Sequence, residues 1–358
     1  MNRISLAQLL TENVPDIDGK NLWIWGTGDT SRLYQEGLNR TSLMDKISGY
    51  CNSNEAKWGS RFYGKPVIPP SKLSEYPNVC VLVCSLQPKV NREILTELKA
   101  MHIEGYLIDE IILKTYHTEV LQCFDLLYDE ESKRIFTELV KSRLLGKNPD
   151  RSIISDNTYF IWRHLASRDV MGGDFIDCGA YTGDTFEKYI WYVDGIFHEI
   201  ISIEPDPENY QAMEKRKKRL CEEWNLQDSS IKLINAGVGE KTTVGWFTRS
   251  NNGLGTKFSE HDHEGSQQQV FALDDLITNP YAFLKADIES FEYKMLLGAK
   301  NGIQQWKPHL AICIYHNSID LYSIALLLHS IVPEYKIAIR HHLNTLAETV
   351  LYAWIEEE

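Results

Sequence analysis

Short apolar runs bounded by turn residues alternate along this chain with stretches whose apolar positions fall three and four apart. The first pattern predicts buried strands, the second amphipathic helices. The run Asn21–Trp25 leads into Gly26-Thr27-Gly28 and a helix-like stretch through Arg40. Further strands are predicted at 47–51, at 66–70, over Val79–Cys84 and over Gly105–Asp109, with a helix from Lys89 to Met101. Strands alternating with helices imply a parallel sheet covered on both faces. Residues 1–114 therefore read as a small Rossmann-like α/β domain.

Residues 115–170 show no strand pattern and read as a helical connector. One helix is predicted over Phe124–Leu145, stopped by Gly146 and Pro149, and another over 156–168. Alternation resumes in a second domain, 171–358. The pattern there predicts strand 174–178, helix 184–193, strand 200–204, helix 207–224 and strand 231–235. A polar, Gly-rich stretch with one short strand at 244–247 follows. Then come strand 282–287, helix 291–305, strand 309–315, helix 319–331 and strands 335–341 and 348–355. No helix separates the last two, which predicts an antiparallel hairpin.

Composition narrows the function classes. The chain has 358 residues, which suits two domains, with 43% hydrophobic and 24% charged residues. Lys and Arg total 37 against 50 Asp and Glu, a net charge of −13, which argues against nucleic acid as partner. The basic run 215–219 has Glu214, Glu222 and Glu223 around it and reads as a solvated helix face. No apolar run approaches the ~18 residues of a membrane span, and the first residues lack a secretory pattern. Seven scattered cysteines read as buried free thiols in a reducing cytoplasm. Homo-oligomerisation is left open.

Two glycine loops carry candidate chemistry. In the second domain a strand ends in Asp177-Cys178-Gly179-Ala180-Tyr181-Thr182-Gly183-Asp184-Thr185, which opens a helix. Glycines there are expected where a Cβ would clash with a bound nucleoside or forbid the turn. The next strand ends in Glu204, placed to accept ribose hydroxyls. With Asp177 it suits a zwitterionic, cationic ligand with a free ribose, such as S-adenosylmethionine (SAM). The front loop is poorer: Ser31 stands where a dinucleotide fingerprint wants its third glycine, and the following strand ends in Cys51-Asn52 rather than an acid. An NAD site is not expected. A nucleotide-sugar site and no site at all both remain open.

Candidate acceptor chemistry lies at three strand ends. Asp287 and Glu289 stand two apart, His316 ends the neighbouring strand, and Arg340-His341-His342 ends a hairpin strand. A hydroxyl nucleophile needs a base, and His316 can serve, oriented by Asp287 or Glu289. The alternatives are that Glu289 caps the next helix and that His316 merely closes a strand. The three can also ligate Mg²⁺ or Mn²⁺, although no metal is assigned. His261-Asp262-His263-Glu264 reads as a solvated polar loop.

The second domain resembles the FkbM-type SAM-dependent methyltransferases. The likeness rests on FIDCGAYTGDT (175–185), IISIEPDPENY (200–210), INAGVG (234–239), NNGLGT (251–256), FALDDLI (271–277), FLKADIESFEYKMLLGAK (283–300) and LAICIYH (310–316). It covers about 120–358, with Ser290 where the family has glycine after Asp-Ile-Glu. It implies the seven-stranded sheet of class I methyltransferases, closed by the C-terminal hairpin, with SAM as donor. The implied reaction is O-methylation of a sugar, glycan or glycan precursor; N-methylation of an amino sugar and a non-catalytic binding module are alternatives. Carried over, Asp177, Gly179, Ala180, Gly183 and Thr185 hold the methionine end, and Glu204 takes the ribose with Asp206 beyond it. Asn235 and Ala236 hold the adenine edge, and Tyr159, with Phe160, lids the site. The first domain is similar, through GKPVIPP (64–70), to the nucleotide-sugar-binding front domain of bacterial sugar acyltransferases.

Overall fold

A computed structural model describes residues 3–156, 158–162, 173–249, 256–259 and 266–356. The first part of the chain builds a six-stranded sheet in the order β3-β4-β2-β1-β5-β6. Its strands are β1 (Asn21–Trp25), β2 (Ile47–Cys51), β3 (Arg61–Phe62), β4 (Lys65–Ile68), β5 (Val79–Val83) and β6 (Glu104–Leu107). All pair in parallel except β3 with β4. The expected strand 105–109 stops at Leu107, and a helix, Ile108–Thr115, begins at once. Asp109 in its first turn is buried, accepting from Tyr34 Oη and facing Arg143.

In the second part, β7 (Phe175–Cys178), β8 (Ile200–Ile203) and β9 (Ile231–Ile234) start a larger sheet. The strands β10 (Gly237–Val238), β11 (Thr243–Arg249), β12 (Thr256–Ser259) and β13 (Ser266–Phe271) then form a separate four-stranded sheet, of which sequence reading caught only one strand. The chain returns through β14 (Phe283–Ala286), β15 (His309–Cys313), β16 (Lys336–His341) and β17 (Thr349–Trp354). The large sheet has the order β16-β17-β15-β14-β7-β8-β9, with β17 antiparallel to β15 and β16 and the rest parallel. This is the expected seven-stranded class I methyltransferase sheet with its terminal hairpin. Strands buried on both faces explain its continuous apolar runs.

Two predicted helices are broken by tertiary contacts. Phe124–Leu145 divides into His117–Leu126 and Glu130–Leu144. Between them Leu127 bridges Ile337 and the Tyr128 amide donates to the Ile337 carbonyl at 2.7 Å, so the segment extends the edge of the large sheet. Asp129 then caps the second helix through the Ser132 amide. Helix 291–305 divides into Glu292–Gly298 and Lys300–Trp306. The expected helix over 156–168 lies mostly outside the described residues, as do His261–Glu264 and most of 251–256.

One apolar cluster runs through both parts, from Leu6, Leu22 and Ile24 through Ile112, Phe136 and Val140 to Leu310, Ile324 and Leu351. Charged links join them as well: Arg40 with Asp320, and Lys294 with Glu36 at 3.0 Å. The basic run 215–219 lies on the helix Pro207–Trp224, where Arg216, Lys217 and Arg219 pair with acids. Among the described residues no helix is long and apolar enough to cross a membrane, and the seven cysteines are free, six of them buried.

Candidate active site

The carboxyl ends of β7, β8, β14 and β15 open onto a cavity of about 530 Å³. Parallel strands release their loops on this side, so side chains just beyond each strand converge there. The opposite wall comes from the front of the chain: Tyr63, and Asp29, Arg32, Leu33 and Glu36, one face of the helix Asp29–Leu38. That helix follows the Gly26-Thr27-Gly28 loop.

Around the β7 loop the structure corrects the sequence reading. Asp177 does not reach the cavity; it is fully buried, 3.0 Å from Lys285 Nζ. Lys285 also donates to the Gly179 carbonyl at 2.8 Å, tying strand end to loop. Burial raises the pKa of the Asp177 carboxyl, and the Lys285 ammonium opposes the rise. Gly179 lines the cavity at φ +71°, and a Cβ there would stand 1.9 Å from the Asp287 carbonyl oxygen. Gly183, at φ +82°, starts the next helix with no room for a Cβ against the Phe186 ring. Both glycines are thus demanded by the protein's own packing. Ala180 is buried behind the loop, whereas Thr185, though buried, lines the cavity.

Glu204, just past β8, faces the cavity with 5% of its surface exposed. It accepts from the Tyr181 amide at 2.9 Å and the Asp206 amide at 3.0 Å. Burial pushes its pKa up to about 7 against those hydrogen bonds. Asp206 sits behind it as the cap of the helix Pro207–Trp224. Asn235 likewise supports rather than lines: its amide holds the carbonyls of Glu204 and Pro205. Ala236 and Tyr159 line the cavity.

The loop after β14 carries Asp287 and Glu289 into the cavity. Tyr159 and Tyr315 donate to Asp287 at 3.1 and 3.0 Å. Glu289, 44% exposed, and Ser290 take left-handed backbone, φ +56° and +78°. Partial burial among its neighbours pushes the Glu289 pKa up to about 7; His316 opposes this, and Asp287 and Glu292 add to it. His316 does come beside both predicted partners, with Nε2 3.4 Å from Asp287 and 3.8 Å from Glu289, but it is 1% exposed and lies behind the wall. Burial lowers its pKa, yet Glu292, Glu289 and Asp287 outweigh that and hold it at about 10. Glu292, unremarked in the sequence, lies 3.3 Å from His316 Nδ1 and is fully buried. Glu289 caps no helix; Glu292 accepts the Ile288 amide instead.

Arg340, His341 and His342 stay out of the cavity. Arg340 pairs with Asp129, His341 meets Thr349, and His342 meets the Ser155 carbonyl. Sequence reasoning missed Lys285, Glu292, Tyr315 and the front helix. One signal was available: Asp29, Arg32 and Glu36 form a charged stripe at helical spacing directly after a glycine loop.

The sequence model of the methyltransferase FkbM domain matches residues 177–335. Residues 177–335 are thus similar to the methyltransferase FkbM domain. A crystal structure of methyltransferase FkbM from Methylobacillus flagellatus KT superposes with a TM-score of 0.60 at 21% identity, covering 98% of each chain, so the likeness extends over the front part as well. An rRNA methylase from Streptococcus thermophilus (13% identity, TM-score 0.32) covers 53% of this chain and 90% of its own. A SAM-dependent methyltransferase from Aquifex aeolicus (12%, 0.32) covers 52% and 83%. No curated protein matches the chain. The matched stretch begins at the last residue but one of β7 and ends just before β16, so it includes every cavity residue drawn from β8, β14 and β15.

Proposed function

We propose that the protein is a SAM-dependent methyltransferase acting on a hydroxyl of a sugar or glycan-type acceptor. Glu204 carries the reading. It is a carboxylate on the cavity wall, at the end of the strand beside the glycine loop, inside the stretch similar to the FkbM domain. The residues present fit the donor: Glu204 offers acceptor oxygens for a ribose diol, Gly179 a bare backbone wall, Ala236 a small surface for a base edge, and the cavity is of ligand size. When bound, SAM would supply an electrophilic methyl group.

In this reading Asp287 and Glu289, which line the cavity, hold the acceptor hydroxyl. Of the two, Glu289 is the more exposed, so we assign it the proton of the reacting hydroxyl. His316 then acts from behind, fixing the two carboxylates. The front helix bounds the acceptor side, so acceptor choice belongs partly to residues 29–36. Carboxylates outnumber basic groups on the wall, which favours a second reading, transfer to the nitrogen of an amino sugar.

Calorimetry with SAM tests the donor site. Glu204→Ala should weaken binding by about 1.5–3 kcal/mol, as expected for hydrogen bonds to a charged group. Unchanged affinity would sink the assignment. Conversion of SAM to its demethylated product, measured with neutral sugars and with amino sugars, separates the two acceptors. Glu289→Gln should lower turnover by ~10²–10⁴-fold while SAM affinity stays.

A further inference from the structure

The geometry points to a divalent-cation site formed by Asp287, Glu292 and His316. One ligand atom from each lies within 4.8 Å of the others. An ion bonded at ~2.1 Å holds its ligands about 3–4 Å apart, so small side-chain rotations suffice to close the set. Among the described residues this is the one such group.

A cluster of acids alone would say little, but these atoms are buried and unsatisfied. His316 and Glu292 are 1% and 0% exposed. Neither ring nitrogen of His316 has a hydrogen-bond partner, nor does Glu292 Oε2. The nearby carboxylates stand 3.3–3.8 Å away, close enough for charge attraction. Buried polar atoms without partners are rare and call for a specific explanation. Three carboxylates, counting Glu289, also converge on a single imidazole, leaving an excess of negative charge that a divalent ion would offset.

The surroundings hold the set in place. Tyr159 and Tyr315 fix the Asp287 carboxylate, and the Ile288 amide fixes Glu292 Oε1. The loop carrying Glu289 and Ser290 in left-handed backbone joins Asp287 to Glu292, and both carboxylates approach His316. Such support is what metal ligands require of their neighbours. One imidazole with two carboxylates suits Mn²⁺, Fe²⁺ or Zn²⁺ better than Mg²⁺ or Ca²⁺, which favour all-oxygen shells. Asp287 is reached from the cavity, so the ion would have an open position toward the acceptor. Its use there, to acidify a bound hydroxyl, rests on the methyl-transfer reading; the site itself does not.

The test uses the full chain after dialysis against a chelator. Titration with MnCl₂, followed by loss of the free-ion electron paramagnetic resonance signal, should show one saturable site per chain. ZnCl₂ should displace the ion and MgCl₂ should not. His316→Ala should abolish binding. Glu292→Gln keeps the volume, so a folded variant by circular dichroism should still bind at least ~10-fold more weakly. No saturable Mn²⁺ or Zn²⁺ site in the wild type, or equal binding by both variants, would overturn the proposal. SAM calorimetry runs in parallel: a chain that binds Mn²⁺ but not SAM removes the donor reading and leaves the cation site standing.

Discussion

Glu204 lines the cavity yet is almost wholly buried, so its ionised form is opposed by its surroundings. The Tyr181 and Asp206 amides hold the charged form, and burial still lifts its pKa from 4.5 to about 7. A raised carboxyl pKa means the fold favours the protonated group. The cost to stability is absent below pH 4.5, grows as pH rises, and is complete above pH 7. Glu204→Gln carries no such charge. The stability difference between variant and wild type should therefore shift toward the variant across that window, by up to about 3 kcal/mol. Urea unfolding at several pH values measures it; a difference that stays flat from pH 4.5 to 8 would contradict the buried-charge account.

The loop after β14 shows how one element builds a site at a cost in local stability. Glu289 and Ser290 both sit in left-handed backbone, where a residue with a Cβ costs about 1–2 kcal/mol. Ser290 recovers part of this through Asn317, whose amide donates to its hydroxyl at 3.4 Å. That bond is long, and Asn317 keeps other partners in Asp320 and the Leu33 carbonyl. Ser290→Gly should thus stabilise the protein by about 1 kcal/mol, seen as a higher denaturant midpoint. A lower midpoint would mean the hydroxyl matters more than the backbone. The break between helices 292–298 and 300–306 belongs to the same scale: Gly298 packs so closely on the Gly239 carbonyl that a Cβ would stand 2.1 Å away. No periodicity in 291–305 announces that contact.

At the scale of the whole molecule one apolar cluster crosses the expected boundaries at 114 and 170, while a second stays within the front part and a third within the large-sheet part. Leu127 and Ile154 pair with the edge of the large sheet, and the helix Glu130–Leu144 lies beside β16. Arg143, 1% exposed, donates to Tyr34 at 3.0 Å in the front part and to the Tyr315 carbonyl at 2.6 Å, next to His316. A chain beginning near residue 115 would uncover this apolar cluster, leave Arg143 without Tyr34 and Asp109, and lose one cavity wall. It should fail to give a cooperative thermal transition by circular dichroism, and should not bind SAM. A soluble, cooperatively folding truncation with wild-type SAM affinity would show that the large sheet stands alone.

What the sequence determined by itself was the alternation of strands and helices in the two mostly parallel sheets and the glycine loop with Glu204 at the next strand end, but not the four-stranded sheet β10–β13. Those depend on local apolar runs and on backbone shapes that few residues adopt, and both are written in consecutive positions. Placing Asp287 and Glu289 beside His316 needed only the topology of neighbouring parallel strands. The tertiary structure alone decided which of these groups face open space. Whether Asp177 meets a ligand or Lys285, whether His316 lines the cavity or lies behind it with Glu292, and whether the front helix closes the site all depend on packing between distant segments. Burial, more than residue type, sets the charge and reach of those side chains, and burial is a property of the folded whole.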